Sequence, residues 1–371
     1  MAVTVCTMNV NNLFVRYRFN KGYPGQHFRV GLTPEQDAAG NWGFKAPAGW
    51  KSYYDVFTAE ECDLIELAIT RENTSWPDIL CLQEVECMDA IRLFNDRFLG
   101  NHYDHALLID GHDFRLIDVA VLSTLPIRSI RTHMDDLGGN PYMFTRDCLE
   151  VNLHVAGAPS ETLTVFLLHL KSKFVGRKPN EMTKAQWAVE EGNIRARGDE
   201  TRKKQAKRTV QIVKERFPGG QFSSEWFMVA GDLNDAANSK PVKPLVHDAG
   251  LENVLDRLPQ GERWTHYYEA ERSVSQMDYM LLSPALSQDT QNVLPAVERR
   301  GVDYRAKSTV DGKPLPKEVK LVDDDTYDPT VLYSDYDPPV ALELPFRYDR
   351  FPGVDEKTGA SDHCPVFLPI P

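Results

Sequence analysis

The residues best suited to chemistry lie in FMVAGDLND, from Phe227 to Asp235. Phe227 to Ala230 form an apolar run that reads as a buried strand. Gly231 ends the run and frees the backbone to turn or to approach another group closely. Asp232, Asn234 and Asp235 follow at the carboxyl end of that strand. Two carboxylates and an amide on the rim of a sheet suit a hard cation or the alignment of a water molecule. The same residue types are common where strands pass into turns, so the stretch alone leaves both readings open. The weight comes from other segments that repeat the arrangement.

Residues 2–8 alternate apolar and polar, rich in β-branched types, and read as a strand. They lead into Asn9-Val10-Asn11-Asn12-Leu13-Phe14. Strand spacing places Asn9 and Asn11 on one face, with Asn12 opening a turn; turn chemistry accounts for them equally well. Asp78 to Leu82 makes a second buried strand that delivers Gln83 and Glu84 at its end. Residues 162–170 end in His169-Leu170-Lys171. Gln276 to Leu282 carries Asp278, and Ser361-Asp362-His363 introduces a final strand. Arg115 and Asp118 stand among apolar neighbours, where an unpaired charge is expensive. Pairing with each other and a phosphate contact by Arg115 are both open.

Collected, the strand ends offer Asn9, Asn11, Glu84, His169, Asp232, Asn234, Asp278, Asp362 and His363. Carboxylates and amides with two imidazoles and no cysteine pair suit Mg²⁺ or Mn²⁺ better than Zn²⁺. Phosphoester hydrolysis needs a charge-neutralising cation, an oriented water, and donors around the developing oxyanion. Each part has a candidate in this set. His363 beside Asp362 suits a base or an electrostatic stabiliser held in one tautomer.

The elements that must position these residues follow from pattern. Strands alternate with helical stretches expected at 55–72, 88–99, from about 180 onward, and near 241–249. Residues 143–155 and 162–170 read as a hairpin. The chain has 371 residues, 42% of them hydrophobic and 10% aromatic, as in a well-cored globular protein. Residues 15–50 and 301–358 read as irregular excursions, the second with 13 acids against eight bases and expected to help choose the substrate. The six cysteines form no CxxC pair and read as buried thiols. No apolar run reaches the roughly 18 residues of a membrane span. The chain enters a strand with no visible signal peptide, so a cytoplasmic location is expected, although a leader already removed would leave the same sequence.

The ordered series NVNNLF, LQEVE, RLIDVAVLS, HLKSK, GDLND, QMDYMLLS and SDHCPVF resembles the endonuclease/exonuclease/phosphatase superfamily, the DNase I-like group. The resemblance implies a single domain over 1–371, folded as an α/β four-layer sandwich of two packed mixed sheets flanked by helices, with the site at one rim. It implies Glu84 as principal metal ligand, with Asn11 and Asp362 contributing. Asp232 would orient or deprotonate the attacking water, helped by Asn234. His363 would face the scissile phosphate with Asp278 orienting its ring, and His169 would be a second phosphate-facing imidazole. Asn9, Arg115 and Lys171 complete the phosphate-binding side. The chain departs from the family pattern at Asn11, where an acid is common, at Leu168, where Asn often precedes the histidine, and at Leu116, which replaces a glycine.

The implied activity is a divalent-metal-dependent phosphodiesterase, foremost a nuclease acting on DNA. Residues 171–216 carry 14 Lys and Arg against six Asp and Glu in a chain of net charge −12, a flank able to attract a phosphate backbone or simply a solvated helix face. The acidic whole-chain charge favours instead a small phosphoester: an inositol phosphate, a phospholipid headgroup or a nucleotide. Exposure of Phe14, Tyr17, Phe19 and Tyr23 would point to a lipid surface. A catalytically silent binding protein on the same fold is the third reading, and the occupied catalytic positions speak against it.

Overall fold

The computed structural model describes residues 2–19, 59–138, 141–176, 181–259, 262–268, 273–302, 350–355 and 357–371, together with Pro179 and short strand segments between them. Two mixed six-stranded sheets lie among the described residues. Across the first run Ala296–Val297, Val366–Ile370, Val3–Leu13, Ile79–Val85, Asp118–Ser123 and His105–Leu108. Across the second run Glu252–Asn253, Asp278–Leu282, Phe227–Asp232, Thr162–His169, Cys148–His154 and Ile127–Arg131. Each sheet has one parallel pair at its centre: Val3–Leu13 with Ile79–Val85, and Thr162–His169 with Phe227–Asp232. Helices cover the outer faces, which makes the α/β sandwich.

Period-two alternation sorts the strand residues into layers. Val3, Val5, Ile79, Cys81, Leu163, Val165, Leu167, Met228, Ala230, Met280 and Leu282 meet in the layer between the sheets. Their neighbours Cys6, Met8, Leu80 and Leu82 face helices Ala59–Thr70 and Met88–Arg97. Phe166, Leu168, Phe227, Val229, Tyr279 and Leu281 pack beneath helix Lys184–Arg216.

That helix starts with a capping box, Thr183 and Gln186 each satisfying the other's backbone N–H. Its buried stripe, Arg202, Gln205, Ala206, Thr209, Ile212 and Val213, has the spacing of one helix face. Upstream of Arg202 no residue of the helix is buried. At 1.5 Å per residue its 33 residues span about 50 Å, and the fully buried stripe occupies the C-terminal half.

Several boundaries differ from expectation. The first strand runs on to Leu13, with a register shift between Asn9 and Leu13. The first helix begins at Ala59 because Ser52–Val56 is a strand paired with Val15–Phe19. The excursions at 15–50 and 301–358 lie mostly outside the described residues. Their described parts include short strands, with Pro34–Gln36 paired to Trp42–Phe44, Thr309–Val310 to Lys313–Pro314, and Lys320–Leu321 to Ser273–Ser275, and a turn at 350–355 that sends Phe351 and Val354 into the core. The side chains of Tyr17, Phe19 and Tyr23 lie outside the described residues, and Phe14 is half-buried. All six cysteines are free, and five are buried. Among the described residues no helix is long and apolar enough to cross a membrane.

Candidate active site

Strand register assembles the site. His169 pairs with Asp232, and Asp232 pairs with Asp278, so the three stand in one row across adjacent strands. All three continue the inward-facing series that is apolar further back: Leu167 gives way to His169, Ala230 to Asp232, Met280 to Asp278. Opposite them, in the first sheet, Asn9 pairs with Gln83. Asn9 Nδ2 crosses the gap and donates to Asp232 Oδ2 at 3.0 Å. The site therefore closes one end of the layer between the sheets.

Backbone conformation aims the remaining residues. Gly231 has φ +123°, and a Cβ there would fall 2.1 Å from the carbonyl oxygen of Leu168, so only glycine is tolerated. Glu84 has φ +65° within an irregularity between Gln83 and Val85. Simple alternation would send Glu84 outward with Leu80 and Leu82. The bulge turns it in, and Oε1 comes 3.7 Å from His169 Nε2. Asn11 and Asn234 are also left-handed, at φ 48° and 53°. Such conformations cost on the order of 1–3 kcal/mol each and cluster where function holds them.

Asp232 is the hub. Its Oδ1 accepts the Asn234 backbone N–H at 2.7 Å, and its Oδ2 accepts Asn234 Nδ2 at 3.0 Å. His169 Nε2 and His363 Nε2 lie 3.5 and 3.9 Å from the same oxygen. Burial, with the charge of Asp278 adding to it, outweighs His363 and these hydrogen bonds and raises the Asp232 carboxyl to about 7. His363 Nδ1 meets Asp278 Oδ2 at 2.8 Å. Burial works against the charged imidazole, but Asp278 and Asp232 overcome it and raise His363 well above its ordinary value. His169 moves the opposite way: burial, then the charges of Arg146 and Arg115, hold it well below, hence neutral. Two similar rings at one carboxylate thus carry different charges.

Asp278 is held by Thr265, whose Oγ1 donates to Asp278 Oδ2 at 2.7 Å and accepts the N–H groups of Met277 and Asp278. Arg146, buried, donates from Nε to Asp113 Oδ2 at 2.8 Å and from Nη1 to Leu170 O at 3.0 Å. Arg115 Nε lies 3.7 Å from Asp113 Oδ1, while Asp118 Oδ1 accepts the Gly111 N–H at 2.9 Å. Lys171 is half-buried, and its N–H donates to Gln205 Oε1. Burial and the charges of Arg146 and Arg115 lower its pKa. Arg115, Arg146 and Lys171 thus form a cationic side to the site.

The expected residues do not all converge. Asn9, Glu84, His169, Asp232, Asn234, Asp278 and His363 do. Asn11 is exposed and its Oδ1 accepts from Asn12 Nδ2. The left-handed turn breaks the alternation that would have put it beside Asn9, and only its backbone N–H reaches Asn9 Oδ1. Asp235 turns away to bind Arg202 and Lys173, anchoring the long helix. Asp362 stands beside His266, Oδ2 to Nε2 at 3.7 Å. Sequence reasoning missed Arg146, Thr265 and His266. The available signal was a polar residue within each of two β-like stretches, TRDCLEV and WTHYY.

The donors suit a hard divalent cation. Burial raises the Glu84 carboxyl, and repulsion from Asp362 adds to the shift, an unfavourable charge pair that a cation relieves. The donor atoms of Asp232, Asp278 and His363 lie within 4.8 Å of one another, as do those of His266, Asp362 and His363. Asp278 Oδ1 is buried without a hydrogen-bond partner among the described residues. The set is rich in oxygen and holds no thiolate.

The model of the Endonuclease/Exonuclease/phosphatase family matches residues 63–363. The chain belongs to this family, whose members hydrolyse phosphoester bonds and generally use divalent metal ions. An endonuclease/exonuclease/phosphatase from Beutenbergia cavernae DSM 12333 shares the fold at 14% identity and TM-score 0.50, over 100% of this chain and 71% of that chain. A humanized D. rerio TDP2 with 14 mutations aligns at 14% identity and TM-score 0.48, over 100% and 99% of the two chains. Sphingomyelinase C from Streptomyces griseocarneus aligns at 14% and 0.47, also over 100% and 99%. No curated protein sequence matches the chain.

Proposed function

We propose that the protein is a divalent-metal-dependent phosphodiesterase, a nuclease hydrolysing DNA, built as one family domain. The supporting observation is the row of His169, Asp232 and Asp278 with His363 at its end, where one carboxylate is tuned near neutrality between a neutral and a charged imidazole. Glu84 and Asp362 would hold Mg²⁺ or Mn²⁺, and the outward-turned Asn11 is left out of the ligand set. The metal supplies charge neutralisation at the phosphate.

Asp232, oriented by Asn9 and Asn234, takes the proton of the attacking water. The His363 imidazolium, fixed by Asp278 and Thr265, stabilises negative charge gathering on the phosphate oxygens. Neutral His169 donates a hydrogen bond to another of those oxygens. Arg115 and Lys171 bind the phosphate from the cationic side.

For the substrate, the long helix is informative. Much of its charge is spent internally: Arg195 pairs with Glu191, Arg197 with Glu190, Arg208 with Asp136 and Arg216 with Glu150. Lys203, Lys204, Lys207 and Lys214 form no ion pair among the described residues. They follow the turn where Arg202 Nη1 donates to Lys171 O at the site's rim and would contact phosphates flanking the cleaved one. The neutralised remainder of the helix favours the second reading, a small phosphoester. Hydrolysis of supercoiled plasmid, single-stranded DNA, RNA, a nitrophenyl phosphodiester and phosphoinositides, with Mg²⁺ or Mn²⁺ and an EDTA control, tests the assignment. Metal-dependent plasmid cleavage is expected. Turnover of only the small esters would replace it with the second reading, and no turnover of any would leave a binding protein.

A further inference from the structure

A second candidate site lies on the side of the sandwich, where the two sheets end. His105–Leu108 is the last strand of the first sheet and Ile127–Arg131 the last of the second. Both line one crevice of about 560 Å³. Each pairs with a single neighbour among the described strands, so each presents an unpaired row of backbone donors and acceptors to it. The floor is the margin of the inter-sheet core, where Leu107 and Ile127 are partly buried.

The rim is basic in a chain of net charge −12. Arg92 is exposed and makes no ion pair among the described residues. Arg128 stands opposite, its Nη2 2.7 Å from His154 Nδ1 and 3.9 Å from Glu161 Oε2. His105 adds an imidazole, and Asp104 is the one acid in the lining. Ile130, on the same edge, is 47% exposed.

Open strand edges, an apolar floor and cationic walls match one chemistry. We infer that this crevice binds an extended acidic peptide segment of a partner protein, which adds as a strand to the Ile127–Arg131 edge. Main-chain hydrogen bonds would give affinity, with apolar side chains turned to Leu107 and Ile127 and alternate acids turned to Arg92 and Arg128. A nucleic acid fits less well, because it would leave the backbone edges unpaired. The five residues of that edge accommodate about 17 Å of extended chain.

The test is selection of a phage-displayed random heptapeptide library on the purified full chain, in parallel with an Arg92→Glu/Arg128→Glu variant. Thermal melting and phosphodiester hydrolysis of the variant serve as fold controls. The expected result is enrichment of sequences alternating apolar and acidic residues. A synthetic peptide of that type should bind at least tenfold more weakly to the variant, and N-methylation at every second residue should weaken it similarly. Enrichment of no such class, or binding indifferent to both changes, overturns the inference. So does a charge-reversal effect confined to a single-stranded oligonucleotide, or to self-association in sedimentation, which would give the crevice to nucleic acid or to a second copy.

Discussion

The layer between the sheets has two regions built from the same strands and the same face. In the middle, Leu163, Val165, Met228 and Leu282 make an ordinary apolar core. At one end, His169, Asp232 and Asp278 occupy inward positions further along the same strands and are as deeply buried. The backbone barely distinguishes them; the side chains do. The middle gives up water for stability, whereas the end holds carboxylates and imidazoles out of water and loses stability by it. What the end gains is a carboxylate and two imidazoles displaced from their ordinary protonation, the condition for acid–base work near neutral pH.

Breaking the contrast at the polar end has the largest expected effect. His363→Ala should lower kcat/KM for phosphodiester hydrolysis by at least about 10³, with the fold intact by circular dichroism. Gly231→Ala attacks the frame of the site. Its Cβ would collide with the Leu168 carbonyl, and a loss above about 4 kcal/mol is expected in denaturant unfolding. In the middle, Leu163→Ala and Met228→Ala should each cost about 2–5 kcal/mol, yet leave kcat/KM of the folded fraction within about twofold.

The pH dependence sharpens the comparison, and its sign is opposite to that of an ordinary salt-bridged acid. Because the native Asp232 carboxyl titrates at about 7, above its unfolded value, the native state binds more protons between those two values. Asp232 therefore subtracts stability progressively as pH rises to about 7. Asp232→Asn should melt higher than the parent at pH 8, with the gap closing as pH falls toward about 4. The parent's kcat/KM should rise through pH 7 as the base form fills. The smallest effect belongs to the flank: Lys204→Glu with Lys207→Glu should raise KM for DNA by about tenfold at low salt and leave a nitrophenyl diester unchanged.

The sequence revealed the layers because alternation writes the inner and outer faces into each strand. It revealed the DNase I-like series because the polar residues stand at strand ends. The row from His169 through Asp232 to Asp278 was out of reach, since it depends on register between strands far apart in the chain. Glu84 shows the limit most clearly: its position in the strand assigns it to the outer face, and only the left-handed bulge brings it in. Asn11 is the converse, assigned inward by spacing and turned out by the same kind of distortion. Arg146, Thr265 and His266 were hidden because each resembles an ordinary polar residue in a strand until its tertiary partner is known.

The most direct test of Asp232 as the base in a metal-dependent hydrolase is one comparison on the parent, Asp232→Asn and Glu84→Gln proteins. Plasmid or nitrophenyl-diester hydrolysis would be measured at saturating Mn²⁺, alongside calorimetric Mn²⁺ affinity. The account predicts that Asp232→Asn binds Mn²⁺ within about threefold of the parent but turns over at least about 10³ more slowly, whereas Glu84→Gln loses Mn²⁺ affinity itself. An Asp232→Asn protein that keeps a tenth or more of parental turnover would contradict the assignment of the base.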